Sequence, residues 1–284
     1  MSNEPVEAGS AVFNGAPLVQ NKHHEMPSVF SPQRLLENAR RQKGLPASPA
    51  PEICVLDPDG DIVRHLLRKG EATRDLSWAC YHTDLYRFSV GEAQLGIIGC
   101  AVGGPFAVLV AEQLFVSGCE LLVSITSAGQ ILPVRKPPYF VLIDKALRDE
   151  GVSYHYLPPT KYANANAALT DTFCTRLDDS SLRIERGPVW TTDAPFRETE
   201  SAIAHARTEG ILAVEMEAAS LYAFAEARQK PVLCFAHVTN QMGGVESDFE
   251  KGEADGSVDA VQLLAWVVKV WQEIIRGSDR VITV

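Results

Sequence analysis

The chain contains no CxxC pair, no internal repeat and no apolar run of transmembrane length. It also lacks a positive balance, with 26 Lys and Arg against 36 Asp and Glu and a net charge of −10. Each absence excludes something. A bilayer-spanning helix needs about 20 apolar residues, so no membrane partner is expected. Nucleic acid requires a positive field, so no nucleic-acid partner is expected. The six cysteines, Cys54, Cys80, Cys100, Cys119, Cys174 and Cys234, lie mostly in apolar runs, where cysteine behaves as a small core residue. That usage predicts a reducing compartment rather than a disulfide framework. Met1 to Ser10 is polar and acidic, unlike a signal peptide, and the expectation is a cytoplasmic protein. His23-His24-Glu25 lacks the spacing of a helical HExxH pair, and no metal is expected. What is present, 46% hydrophobic and 22% charged residues, is ordinary for a globular chain.

Strand and helix patterns alternate. Ser31-Pro32 opens a helix that Gly44 closes, by the N-cap and αL-stop preferences. Pro46, Pro49 and Pro51 follow as a linker. Residues 1–51 therefore read as an arm with one short helix, and residues 52–284 as the main domain. In that domain, strands are expected at Ile53–Leu56, Tyr81–Val90, Ala93–Gly99, Leu121–Gly129, Tyr139–Asp144, Val152–Leu157, Val189–Asp193 and Pro231–Val238. Helical patterns fall at Ile62–Lys69, Phe106–Phe115, Asn164–Leu177, Ser201–Glu209, Ala218–Gln229 and Val258–Ile275. This order predicts an α/β fold, a three-layer sandwich whose mixed central sheet is flanked by helices. The acidic, Gly-rich stretch from Gly243 to Gly256 reads as an exposed loop or lid.

Chemistry-bearing residues gather at strand ends. Val214-Glu215-Met216-Glu217-Ala218-Ala219 hands a strand to a helix at two carboxylates. A carboxylate there suits a sugar diol, which offers two hydroxyl donors side by side. A solvated first helical turn, where the dipole favours acid, accounts for it equally. Gly60-Asp61 and Arg64 open another helix after a strand. Free N–H groups and a guanidinium make an anion site there, or else an ordinary connection with Arg64 on the surface. Ser127-Ala128-Gly129 ends a third strand, where small hydroxyl residues line ligand crevices. Thr192-Asp193 leads to Phe196, and His237 to Asn240 closes a further strand. His237 reads as a core histidine.

These motifs resemble the nucleoside phosphorylase family I enzymes, which include purine nucleoside and uridine phosphorylases and related nucleosidases. The resemblance covers roughly residues 52–275 and implies their fold. It implies that Met216 and Glu217 hold the ribose hydroxyls. Gly60, Arg64 and Ser127 would hold inorganic phosphate, the co-substrate. Phe196, Ala128, Gly129 and Asn240 would hold the base. Glu217, Arg64 and Asn240 become the catalytic candidates. The implied reaction is reversible phosphorolysis of a purine or pyrimidine nucleoside to free base and (deoxy)ribose 1-phosphate. No organic cofactor is implied. A homo-oligomer is, built from dimers and up to a hexamer. Two departures matter. Family phosphorylases carry an arginine three positions before the conserved Ser or Thr, where this chain has Ser124. Arg74, Arg87, Arg135 and Lys136 are the candidates to replace it. Hexameric purine phosphorylases place an aspartate where Asn240 stands. Hydrolytic cleavage by a nucleosidase, and nucleoside binding without catalysis, are the alternatives these departures raise.

Overall fold

The computed structural model describes residues 16–241 and 251–281. The helices are α1 (Pro32–Lys43), α2 (Asp61–Lys69), α3 (Gly104–Val116), α4 (Ser153–Tyr156), α5 (Ala167–Cys174), α6 (Glu200–Thr208), α7 (Ala218–Arg228) and α8 (Ser257–Val281). The strands are β1 (Ile53–Asp57), β2 (Ala72–Arg74), β3 (Tyr86–Val90), β4 (Ala93–Gly99), β5 (Leu121–Gln130), β6 (Tyr139–Asp149), β7 (Tyr162–Asn164), β8 (Ile184–Thr192), β9 (Ala213–Glu215) and β10 (Val232–Gln241). The expected mixed sheet between helical layers is what forms. Among the described residues, no helix is long and apolar enough to cross a membrane.

One sheet holds all of these strands. Strand β1 lies between β4 and β5, parallel to both. Strand β10 runs parallel to β5 and antiparallel to β6. Strand β9 joins β8 in parallel and touches β5 in antiparallel. With the β6–β8 pairing, β5, β10, β6, β8 and β9 therefore close into a ring. Closure removes the exposed edges that an open sheet would leave on this side. The parallel pairing of β1, β5 and β10 sets their carboxyl ends side by side.

The central strands β1 and β5 are buried on both faces, so their sequences run apolar rather than alternate. One face packs Leu114 and Phe115 of α3 against Tyr222 and Phe224 of α7. The other packs Leu66 of α2, Phe173 of α5 and Trp266 of α8. Helix α1 begins as its sequence predicts: the Ser31 side chain accepts from the Arg34 N–H, and Gly44 ends it in the left-handed region. Its Leu36 and Ala39 pack on Ala79.

Two segments depart from expectation. Residues 152–157 have strand composition but form the single turn α4. Neighbouring side chains take the backbone groups a strand partner would have taken. Glu150 accepts from Val152 N at 2.8 Å and Ser153 N at 3.0 Å. Arg148 donates to Leu157 O at 3.1 Å and Pro158 O at 2.7 Å. Strand β3 starts at Tyr86, not Tyr81. The residues before it are held locally, with Thr83 Oγ1 on Asp84 O and His82 N on Cys80 Sγ. The loop expected from Gly243 lies outside the described residues up to Glu250.

Helix α7 follows the Glu-Met-Glu element directly, with Glu217 as its N-cap, so its anchoring fixes where that element lies. Tyr222 is fully buried and fixes it twice. Its hydroxyl donates to Ile143 O in β6 at 2.6 Å and accepts from Cys234 N in β10 at 3.2 Å. Tyr222→Phe orphans both groups and should cost about 1–3 kcal/mol. Urea denaturation measures this; an unchanged midpoint would show that the tether carries no stability.

Candidate active site

The turn from β1 into α2 is organised by Asp57. Its carboxyl accepts from Gly60 N at 3.1 Å and Val63 N at 2.9 Å, capping the helix from inside. Burial raises this carboxyl to about 7, against the pull of the two N–H groups. Gly60 has φ +74°, and a Cβ there would lie 2.6 Å from Cys100 Sγ. Only glycine fits that turn.

The turn pairs its cation within its own loop. Arg64 folds back, donating to Asp61 Oδ1 at 2.5 Å and Asp59 O at 2.9 Å. Its side chain is 52% exposed, and exposed pairs of this kind contribute about 0–1 kcal/mol. Arg64 is therefore easily recruited by another anion. Ser127 is differently placed. Its N–H donates to Asp59 Oδ2 and its Oγ to Asp59 Oδ1, both at 3.0 Å. Lys251 adds positive charge, 2.6 Å from Asp61 and 3.8 Å from Asp59. Ser127 of β5 thus meets the loop of Gly60 and Arg64, with Asp59 between them, but the Gly60 N–H expected to be a free anion donor is spent on Asp57. Ser124 is buried in β5, its hydroxyl without a hydrogen-bond partner among the described residues. Of the candidate replacements for an arginine there, Arg74 pairs with Asp84, Arg87 with Asp75 and Arg135 with Glu185.

The second half of the site is the β9–α7 junction. The two glutamates differ in role. Glu215 Oε2 accepts from Glu217 N at 2.7 Å and Ala218 N at 2.8 Å, capping α7. Its other oxygen accepts from Thr191 Oγ1. Burial raises it to about 7, and these donors pull it back. Glu217 is just as buried but only half used. Oε1 accepts from Gly103 N at 2.6 Å, whereas Oε2 has no hydrogen-bond partner among the described residues. Burial and then the Glu215 charge raise it to about 8, while Gly103 N–H and the Thr126 hydroxyl lower it. The solvated first turn that the sequence also allowed is thereby excluded. Gly104 lets α3 approach α7 closely: a Cβ there would lie 2.1 Å from Ser220 Oγ.

The sheet register links the two halves. Gly129 of β5 pairs with Asn240 of β10 on one side and Val214 of β9 on the other. Ala128, Gly129 and Asn240 therefore share one wall with the Glu-Met-Glu element, and Met216 beside them is half-buried. Asn240 Oδ1 accepts from Thr239 Oγ1 at 3.3 Å. Phe196 stands apart, 99% exposed on the short turn Pro195–Arg197. It is not a core aromatic. His237 is buried and stacked on Phe140, with centroids 4.6 Å apart, and burial lowers it to about 4. It is neutral at pH 7 and acts as a wall.

Four contributors are missing from the sequence-based candidates: Asp57, Asp59, Gly103 and Lys251. Asp57 and Asp59 look like turn residues. Gly103 contributes only its N–H. Lys251 lies in an acidic stretch 190 residues from its partner Asp61. A larger cavity, about 420 Å³, lies at the other end of β10 among Asn164, Leu169, Lys230 and Trp271, and holds none of these residues.

The description of the family whose model matches this chain is "Phosphorylase superfamily", and the match spans residues 52–269. The chain is 24% identical over 256 residues to a uridine phosphorylase of Thermococcus kodakarensis, covering 77% of this chain and 91% of that one. It is 24% identical over 170 residues to a guanosine phosphorylase of Halorubrum lacusprofundi, covering 58% of this chain and 70% of the relative. An uncharacterised protein of Acanthamoeba polyphaga mimivirus is 29% identical over 154 residues, 54% of this chain, which spans 59% of that relative's length. The crystal structure of uridine phosphorylase from Vibrio fischeri superposes with a TM-score of 0.63 at 19% identity, over 78% of this chain and 91% of that one. The match covers well over half of the chain, and the chain is a member of the phosphorylase superfamily.

Proposed function

We propose that this chain breaks the N-glycosidic bond of a nucleoside and passes the ribosyl group to an acceptor held beside Ser127. The observation that carries this reading is Glu217 Oε2, which accepts no hydrogen bond among the described residues. A buried carboxylate oxygen without a donor is costly. The ribose hydroxyls are donors of the right kind, with Met216 alongside. The C1′–N bond then breaks with its electron pair leaving on the base. Positive charge grows on the sugar, and the carboxylates around it stabilise that charge. The Asn240 amide donates to the departing base, and Phe196 stacks on it.

Kinship favours inorganic phosphate as the acceptor, since the named relatives are phosphorylases. Water is favoured by one observation, the Asp59 carboxylate on the Ser127 donors. The same reading takes the chain as a dimer-based homo-oligomer. Apolar side chains left exposed, Phe30 at 70%, Val102 at 50% and Phe196 at 99%, support it.

Glu217→Gln keeps the shape and removes the charge. It should lower kcat/KM for a ribonucleoside about 10–10²-fold for each hydroxyl hydrogen bond that it weakens. Steady-state assay of free-base release reads this, and wild-type kcat/KM in the variant would remove Glu217 from the site. The pH dependence has a definite sign. Glu217 is raised to about 8, and hydroxyl donors favour its ionised form. Nucleoside binding below that value therefore expels a proton. Affinity should tighten by up to about tenfold per pH unit as pH rises toward 8, then level off. Calorimetric titrations across that window test it, and an affinity that weakens with rising pH would contradict it.

A further inference from the structure

We propose that Asp59 selects the acceptor of the ribosyl group, and that the acceptor it selects is water. This inference rests on the nucleoside reading above. Its first ground is the state of the anion donors. Ser127 N–H and O–H each reach one carboxylate oxygen of Asp59 at 3.0 Å. An inorganic anion at this strand end would use these same two donors. The Asp59 carboxylate stands in its place, tethered to the loop.

The surroundings give the second ground. Asp57, Asp59 and Asp61 share the loop with Arg64 and Lys251, and both cations contact Asp61. A phosphate dianion entering here meets like charge, which is the usual device for rejecting a competing ligand. Outside the loop, Arg74 is paired with Asp84, Arg87 with Asp75 and Arg135 with Glu185.

Size is the third ground. Among the described residues, Asp59, Thr126, Ser127, His237 and Lys251 line a cavity of about 20 Å³. One water needs roughly 10–15 Å³ and two to four polar partners. The cavity meets both conditions. A carboxylate oxygen that accepts one hydrogen bond retains capacity for another, so Asp59 holds Ser127 and a water together.

The step balances without any further reactant. The C1′–N bond breaks and its electron pair leaves with the base. The water oxygen bonds to C1′, and the water proton passes to the Asp59 carboxylate. The base nitrogen takes a proton from solvent. The products are free base and ribose.

The test uses the full chain and a panel of ribonucleosides, first in phosphate-free buffer and then with inorganic phosphate. Chromatography identifies base and sugar products, and calorimetry measures nucleoside binding. The wild type should release base and ribose at one rate in both buffers. Asp59→Asn should bind nucleoside as the wild type does, yet release base about 10²–10⁴-fold more slowly, the range for a lost general base. Asp59→Gly, with the Ser127 donors opened, should gain release that depends on phosphate and yields ribose 1-phosphate. Wild-type release that requires phosphate would overturn the proposal and leave nucleoside cleavage standing. Full activity in Asp59→Asn would also overturn it. If the wild type binds no nucleoside, the underlying reading fails and the proposal fails with it.

Discussion

Two carboxyl groups removed from water at the β9–α7 junction set the terms for the rest of this structure. A buried carboxylate is tolerated only where donors surround it. Glu215 has three: Thr191 Oγ1 and the first N–H groups of α7. It holds strand β8 and helix α7 at a fixed distance. Glu217 has one firm donor, the Gly103 N–H at the head of α3. The α3–α7 contact must therefore be close, which explains a glycine at 104 rather than any larger residue. Tyr222 fixes α7 from its other side. The Glu217 carboxylate is thus immobile, incompletely paired and raised in pKa, a combination typical of functional sites.

The loop between β1 and α2 obeys the same electrostatics with a different outcome. Asp57 is consumed by the backbone it caps. Arg64 is tied to Asp61 on the surface, a bond weak enough to exchange. Asp59 and Ser127 form a pairing that mimics how an anion would be held. Acids outnumber bases around it, which suits a site where positive charge develops on a sugar and suits poorly one that must first attract a dianion.

Much of this is legible in the sequence because it is local. The Ser31 cap, the Gly60 turn and the apolar runs of β1, β5 and β10 follow from backbone preferences that neighbours do not override. The strand-to-helix handover at Glu215-Met216-Glu217 is visible for the same reason, and likeness to a family gives it a role. Long-range partners are not legible. Nothing local distinguishes Glu215, a cap, from Glu217, a half-used acceptor; the difference lies in Thr191 and Gly103. Asp59 has turn composition, and its partner is 68 residues away. Residues 152–157 escape their strand composition because buried Arg148 and Glu150 replace the ladder that it favours.

Everything proposed for the site turns on Glu217 taking the hydroxyls of a ribose. Calorimetric comparison of a ribonucleoside with its 2′,3′-dideoxy analogue on the wild-type protein tests this most directly. The dideoxy analogue should bind weaker by about 10–10²-fold per hydroxyl removed. Equal affinity for the two would mean that the unused carboxylate oxygen serves something other than a sugar, and the site would have to be reassigned.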